Sequence, residues 1–335
     1  MPVLPMLGFM LLLTRAEVAS LLDFADYIPV VERAFRLHAE GASLEPALAH
    51  VNAPDGEFHI KAGGLECYFG IKVNGGFFQN QARFQMPNIQ GLILLSRADN
   101  GLPLAAMDSI EITIRRTGAA SAVAAKYLAR PGSSVCTLCG CGNQGRAQLR
   151  ALRSVLPLRK VFAWSPFADE MARFSTAMSE DLQLEIVPAE NLESALAQSD
   201  VCVTCTPSKA PFVRREWIPE GMFIAAVGAD SPDKQELDAA LVASAKVVAD
   251  LRAQSIAVGE IHHAIAQGLM SAGQVHAELG EIITGKIPGR TNDREVIIFD
   301  STGTALQDVA AAAAVYERAN SGSIGIHWSP SGRAA

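Results

Sequence analysis

Apolar positions in the first third of the chain recur with two different periods. Over residues 26–40, Ile28, Val31, Ala34, Phe35 and His38 fall on one face of a 3.6-residue repeat and Gly41 follows, so the spacing predicts an amphipathic helix with a glycine stop. Residues 44–56 follow neither period and read as irregular. Residues 57–61 and 65–73 read as strands. On the second strand Phe69, Ile71 and Val73 share one face, and Tyr68, Gly70 and Lys72 share the other. Residues 89–96, the turn Asp99-Asn100-Gly101 and residues 102–107 predict a hairpin, and residues 110–130 a helix rich in small side chains that allow close packing.

From Val135 onward strand-like and helix-like stretches alternate. Candidate strands are residues 135–139, 161–164, 184–187, 201–205, 223–227, 246–250 and 296–299, which is the pattern of a doubly wound parallel sheet. Residues 302–319 form an alanine-rich helix, expected to leave that sheet and pack back on the first domain. The tail, residues 320–335, reads as frayed. The expected division is residues 119–301 as a Rossmann dinucleotide-binding domain, and residues 1–118 with 302–335 as a second domain.

Composition adds exclusions. The 335 residues are 49% hydrophobic and 19% charged with a net charge of −7, enough for two domains with sizeable cores, and no basic stripe invites nucleic acid. Residues 1–13 are apolar but lack a positive n-region and a small-residue cleavage site, so they read as a buried first strand rather than a signal peptide. No apolar run approaches the ~20 residues of a membrane span, and the expected setting is cytoplasmic. Cys136-x-x-Cys139 and Cys202-x-x-Cys205 imitate a paired zinc pattern. On strands, however, residues three apart point to opposite faces, so these are expected to be small buried hydrophobes, and no metal site is expected.

The strongest chemical signal follows the first parallel strand. Gly140-x-Gly142-x-x-Gly145 sits between a strand and a helix, the context in which glycines make a tight turn, admit a pyrophosphate and let helix pack on strand. The free N–H groups of the helix start, at Asn143 and Gln144, then face phosphate. The next strand ends Trp164-Ser165-Pro166 without the acid that holds an NAD ribose, and Asp169 and Glu170 come late, which leans the cofactor choice between NAD and NADP slightly to NADP. Thr204-Cys205-Thr206 and Gly228-Ala229-Asp230 end two further strands, where such sheets bind ligands. Asp230 reads as a site acid or as a helix N-cap for residues 234–238. Lys72 reads equally as a solvated lysine or as a cation reaching into a cleft cleared by Gly70, Gly75 and Gly76. Of Arg115 and Arg116, about 100° apart on a helix, at most one faces a site, where its fork would suit a carboxylate or phosphate. Glu260, His262 and His263 lack a further ligand and read as helix surface, and His276 is uncommitted.

Taken together, residues 70–75, residues 112–122, the loop Gly140 to Gly145, the turn Val227-Gly228-Ala229-Asp230 and the end Phe299-Asp300-Ser301-Thr302-Gly303 resemble the ornithine cyclodeaminase/mu-crystallin family. The resemblance covers nearly the whole chain. It implies an N-terminal α/β dimerisation and substrate domain, completed by the C-terminal helix, beside the Rossmann domain. It also implies a homodimer and an NAD(P)-dependent oxidoreductase acting at the C–N bond of a small amino or imino acid. The example is a pyrroline-2-carboxylate reductase or an amino-acid dehydrogenase, with an ornithine cyclodeaminase or a non-catalytic NADPH-binding crystallin as alternatives. By the same resemblance Lys72 and Arg116 hold the substrate carboxylate and Asp230 the substrate nitrogen and its proton. Asn143, Gln144, Thr204, Thr206, Val227 and Ser301 line the dinucleotide, and Ser165 and Cys205 flank it. Two positions depart from the family pattern. Leu48 stands where an arginine is usual, and His59 where cyclodeaminases carry a glutamate. Lys61, on the same strand face as His59, is the expected replacement for the missing cation.

Overall fold

Strands and helices follow one another throughout residues 9–329, the part of the chain that the computed structural model describes. The elements run β1 (Met10–Leu13), α1 (Arg15–Leu21), α2 (Phe24–Ala39), β2 (Ser43–Ala53), β3 (Gly56–Leu65), β4 (Tyr68–Gly76), α3 (Asn80–Phe84), β5 (Ile89–Arg97), β6 (Pro103–Asp108) and α4 (Ser109–Leu128). Then come β7 (Val135–Cys139), α5 (Asn143–Arg153), β8 (Lys160–Trp164), α6 (Ala168–Leu182), β9 (Glu185–Pro188), α7 (Leu192–Leu196), β10 (Val201–Thr204), β11 (Phe223–Ala226) and α8 (Ala239–Ser244). The chain closes with β12 (Lys246–Ala249), α9 (Arg252–Val258), α10 (Glu260–Ala266), β13 (Ala277–Glu278), α11 (Leu279–Ile283), β14 (Ile297–Asp300), α12 (Ala305–Ser321) and β15 (Ile326–Trp328). Contacts divide it into two units, Met1–Arg116 with Thr304–Ala335, and Thr117–Gly303.

The first unit holds a mixed sheet in the order β15-β1-β6-β5-β4-β3-β2. Strand register sorts its side chains into two unlike faces. One carries cross-strand rows such as Ile60, Val73 and Leu92, or Ile71 and Leu94. Its large apolar residues are open, Leu92 at 60% exposure and Val51 at 50%. The other face is covered by α12. Gly63 and Gly70 are register partners, and a Cβ on Gly70 would come within 2.8 Å of Val309 Cγ2. Their missing side chains let the helix lie against the strands. Gly70 therefore admits a helix, and the cleft expected there is filled.

Three expectations change here. Residues 44–56 are ordered as β2, not irregular. The strand has few β-branched residues and carries Pro46 inside a register shift between Leu44 and Ala47, which an edge strand tolerates at a bulge. The tail is not frayed as far as Trp328, because β15 pairs antiparallel with β1. Lys72 is not solvated: it is 3% exposed, on the face that α12 covers. The expected first strand begins at Met10, and residues 1–8 and 330–335 lie outside the described residues.

The second unit is an eight-stranded, all-parallel sheet ordered β13-β12-β14-β11-β10-β7-β8-β9. The chain runs outward from β7 to β8 and β9, then returns to place β10 on the other side of β7. The direction of winding reverses between β7 and β10, so a crevice opens at their carboxyl ends, where such sheets bind ligands. Near-continuous apolar strands, for example Phe223–Ala226, fully buried, account for a sheet covered on both faces. Among the described residues no helix is long and apolar enough to cross a membrane.

Candidate active site

In the second unit the glycine turn has the predicted anatomy. Gly140 has φ +118°, the region open to glycine, and a Cβ there would meet the Cys205 carbonyl oxygen at 2.9 Å. Gly142 is the N-cap of α5, with no side-chain cap, and a Cβ there would meet open space. Gly145 packs so closely that a Cβ would lie 2.1 Å from the Gly140 carbonyl oxygen. The first turn of α5 thus presents backbone N–H groups to an anion. Ser165, Thr204, Cys205, Thr206, Val227 and Ser301 follow or end the aligned strands β8, β10, β11 and β14, so the sheet gathers them along one edge. Gln144 Oε1 and Ser301 Oγ are buried with no hydrogen-bond partner among the described residues, as expected of polar atoms reserved for a ligand. The residues present therefore fit a dinucleotide. Cys205 has a structural part, since its thiol donates to the Cys139 carbonyl (3.5 Å) under the glycine turn, and burial raises its pKa well above the ordinary value.

Three buried acids, Glu236, Glu260 and Asp300, none of them expected here from the sequence, hold this edge together. Glu236 accepts from Thr206 N (2.6 Å), Thr206 Oγ1 (2.7 Å) and Gly228 N (2.8 Å), tying two ligand-side loops to one carboxylate. Glu260 accepts from the backbone N–H groups of Glu236 and Leu237 at 2.7 and 3.2 Å. It is fully buried, not on a helix surface, while His263 bonds the Lys234 carbonyl through Nε2 at 2.7 Å. Asp300 accepts from Glu260 N and Ile261 N, and burial pushes its pKa up to about 7. Asp230 is no helix cap, since residues 231–235 are not helical. Its carboxylate lies 2.6 Å from Lys234 Nζ. Ser165 donates to the Glu170 carboxylate, which α6 folds back to the end of β8.

In the first unit the two nominated cations meet on a residue not nominated. Lys72 Nζ lies 2.6 Å from Asp308 Oδ2, and Arg116 Nε donates to Asp308 Oδ1 at 2.8 Å. Arg116 Nη1 also donates to Gln307 Oε1 at 3.0 Å, and Gln307 Nε2 is buried without a hydrogen-bond partner among the described residues. Arg115 turns away and donates to the Ala19 carbonyl at 2.9 Å at the end of α1. Burial pulls the Lys72 pKa down to about 7, Asp308 opposing that shift and Arg116 and Lys61 adding to it. Asp308 is itself lowered, with burial opposed by Lys72, Arg116 and Lys61. A polar pair, Gln307-Asp308, in the otherwise apolar, alanine-rich first part of the helix, residues 305–316, was the available signal. His59 stays at the margin of this face, 2.9 Å from Glu57 through Nε2.

With this geometry in view, the chain matches the ornithine cyclodeaminase/mu-crystallin family over residues 10–323. It belongs to that family. A solved archaeal alanine dehydrogenase dimer with bound NAD is similar at a TM-score of 0.92 and 40% identity, covering 96% of this chain and 99% of that one. The Delta(1)-pyrroline-2-carboxylate reductase of Thermococcus litoralis, solved with NADH and L-proline, is similar at 0.91 and 33%, over 95% and 99%. The iminosuccinate reductase of Paracoccus denitrificans, solved with NAD+, is similar at 0.88 and 35%, also over 95% and 99%. Leu48, which stands where the family usually has an arginine, is the direct register partner of Lys61, itself 5% exposed and paired in register with Lys72.

Removing one partner of a buried ion pair leaves an uncompensated charge and costs about 3–5 kcal/mol. Asp308→Asn is therefore expected to destabilise the protein by that order in urea unfolding at pH 7. Lys72, with a folded pKa below its ordinary 10.5, binds its proton more weakly when folded. The unfolded state then holds more protons, so stability should rise with pH toward 10.5, and because Asp308 supports the Lys72 charge the rise in the variant should begin at a lower pH than in the unsubstituted protein. A flat pH profile and unchanged midpoint would show that Asp308 does not neutralise this cluster.

Proposed function

We propose that this chain is an NAD(H)-dependent oxidoreductase working at the C–N bond of a small amino or imino acid. The observation that carries the reading is the sharing of one carboxylate, Asp308, by Lys72 and Arg116, which leaves a buried positive charge in excess. A substrate carboxylate supplies the missing negative charge, and charge-assisted bonds to it are worth ~1.5–3 kcal/mol each. Lys61 is assigned as the third cation, and the register pairing of Leu48 with Lys61 supports it as the stand-in for the usual arginine. Asp230 is assigned to the substrate nitrogen, where a carboxylate stabilises a protonated imine and holds its proton, an effect of typically ~10²–10⁴-fold. The bound dinucleotide supplies the hydride. In the reductive direction Asp230 would hold the proton on the substrate nitrogen while the adjoining carbon is reduced.

The NAD preference rests on Glu170. The sequence leaned to NADP because no acid ends β8, but α6 returns the Glu170 carboxylate to Ser165. An acid there accepts ribose hydroxyls and repels a 2′-phosphate. The three similar solved proteins hold NAD, NADH and NAD+, in agreement with this reading. The open apolar face of the mixed sheet is assigned to a homodimer, since a patch of this kind marks an interface, and the archaeal relative is a dimer.

The deciding experiment is an absorbance panel at the nicotinamide band with pyruvate plus ammonium, cyclic imino acids, iminosuccinate and ornithine. Stoichiometric NADH consumption with an oxo or imino acid is expected, and a raised KM without loss of NADH binding in Lys61→Ala. Proline released from ornithine without net absorbance change would instead establish a cyclodeaminase, and tight dinucleotide binding with no turnover a crystallin-like binder. Glu170→Gln should narrow the NADH-over-NADPH ratio of kcat/KM, and an unchanged ratio removes Glu170 from cofactor choice. Light scattering should give twice the 35.6 kDa chain mass, falling to one chain for the double substitution Leu92→Glu, Leu94→Glu.

A further inference from the structure

At the margin of the cation-bearing face, next to Lys61 on β3, one hairpin brings three metal-ligating side chains together. Strands β2 and β3 are joined through Pro54-Asp55, and their register places His50 directly opposite His59. Glu57 lies two residues before His59 on β3, so all three side chains emerge on one face. His59 Nε2 is 2.9 Å from Glu57 Oε1, and His50 Nδ1 is 3.9 Å from Glu57 Oε2. The two imidazole rings stand 3.9 Å apart, tilted by 60°. One nitrogen from each ring and one carboxylate oxygen all lie within 4.8 Å of one another, and all three residues are half-buried.

We propose that His50, Glu57 and His59 form a binding site for a divalent transition metal of the zinc type. Two imidazole nitrogens and one carboxylate oxygen are the donors such ions take, whereas magnesium and calcium prefer oxygen alone. With Zn–N bonds of about 2.0–2.1 Å, ligand atoms on a tetrahedral ion stand roughly 3.3 Å apart, so the present spacing needs only small side-chain rotations. The antiparallel ladder fixes the ligand backbones before any ion arrives, which lowers the ordering cost of binding. In the metal-free form Glu57 bridges toward both imidazoles. Metal and protons compete for the same imidazole nitrogens, so uptake should weaken as pH falls. Three protein ligands leave the fourth position to water or an anion. The site rests on this hairpin alone and stands or falls separately from the reading of the active site.

The test uses the full chain, stripped with chelator and titrated with Co2+ and then Zn2+. The expected result is one Co2+ per chain, with the visible d–d absorption of a tetrahedral site, no thiolate charge-transfer band, and displacement by Zn2+. His50→Gln and His59→Gln should each weaken binding by at least about tenfold, with far-ultraviolet dichroism reporting the fold. A thiolate band, or affinity retained in both variants, would assign the ion to cysteine or elsewhere and overturn the site. Should a variant misfold, substoichiometric Co2+ added to the unsubstituted protein decides the matter by proton magnetic resonance. Paramagnetic shift of the His50 and His59 ring protons before those of the other histidines supports the site, and its absence refutes it.

Discussion

The buried pairing of Lys72 and Arg116 with Asp308 is the interaction around which the first unit is arranged. Two cations and an acid removed from water are costly, and close geometry recovers that cost only in part. Each neighbouring feature makes the pairing reachable. Gly63 and Gly70 clear the strands so that α12 can lie down on them, and the pleat turns Lys72 toward the helix rather than outward. The 100° step between Arg115 and Arg116 sends one guanidinium to the end of α1 and the other to Asp308. What results is a buried cluster of two cations on one carboxylate, held in place by regular elements.

The second unit uses negative charge in the opposite way. Glu236, Glu260 and Asp300 are not there to meet a substrate. Each is buried and spends its oxygens on backbone N–H groups of loops or helix starts, against a burial effect that raises all three pKa values. The loops beyond β10 and β11 are thereby held by one carboxylate, and a dinucleotide meets a crevice whose walls are already set. Preorganisation of this kind reduces what a ligand must order on binding.

Much of this was legible in the sequence because it depends on local periodicity. The glycine turn, the parallel strands and the helix after Ser109 have strong short-range signatures, and strand ends differ from expectation by a residue or so. Lys72, Arg116 and the cofactor-side residues came from motif and family resemblance. What escaped depends on partners far along the chain. β2 is a strand because β3 pairs with it, since its own residues are mostly weak strand formers interrupted by Pro46. Asp308 is 236 positions from Lys72 and 192 from Arg116, and only its polar pairing with Gln307 in an alanine-rich stretch marks it. Glu170 reaches Ser165 only because the α6 turn folds it back, which linear spacing from the strand end does not convey.

The pairing of β1 with β15 carries a consequence for biosynthesis. Strand β15, outermost in the mixed sheet, and the helix bearing Asp308 are synthesised well after the strand and the cations they join. While the polypeptide is being elongated, the nascent amino-terminal sheet lacks both its edge strand and the counter-charge for two buried cations. Its consolidation therefore waits until the whole second unit has been synthesised, and a message truncated before Ala305 yields a product that cannot complete it.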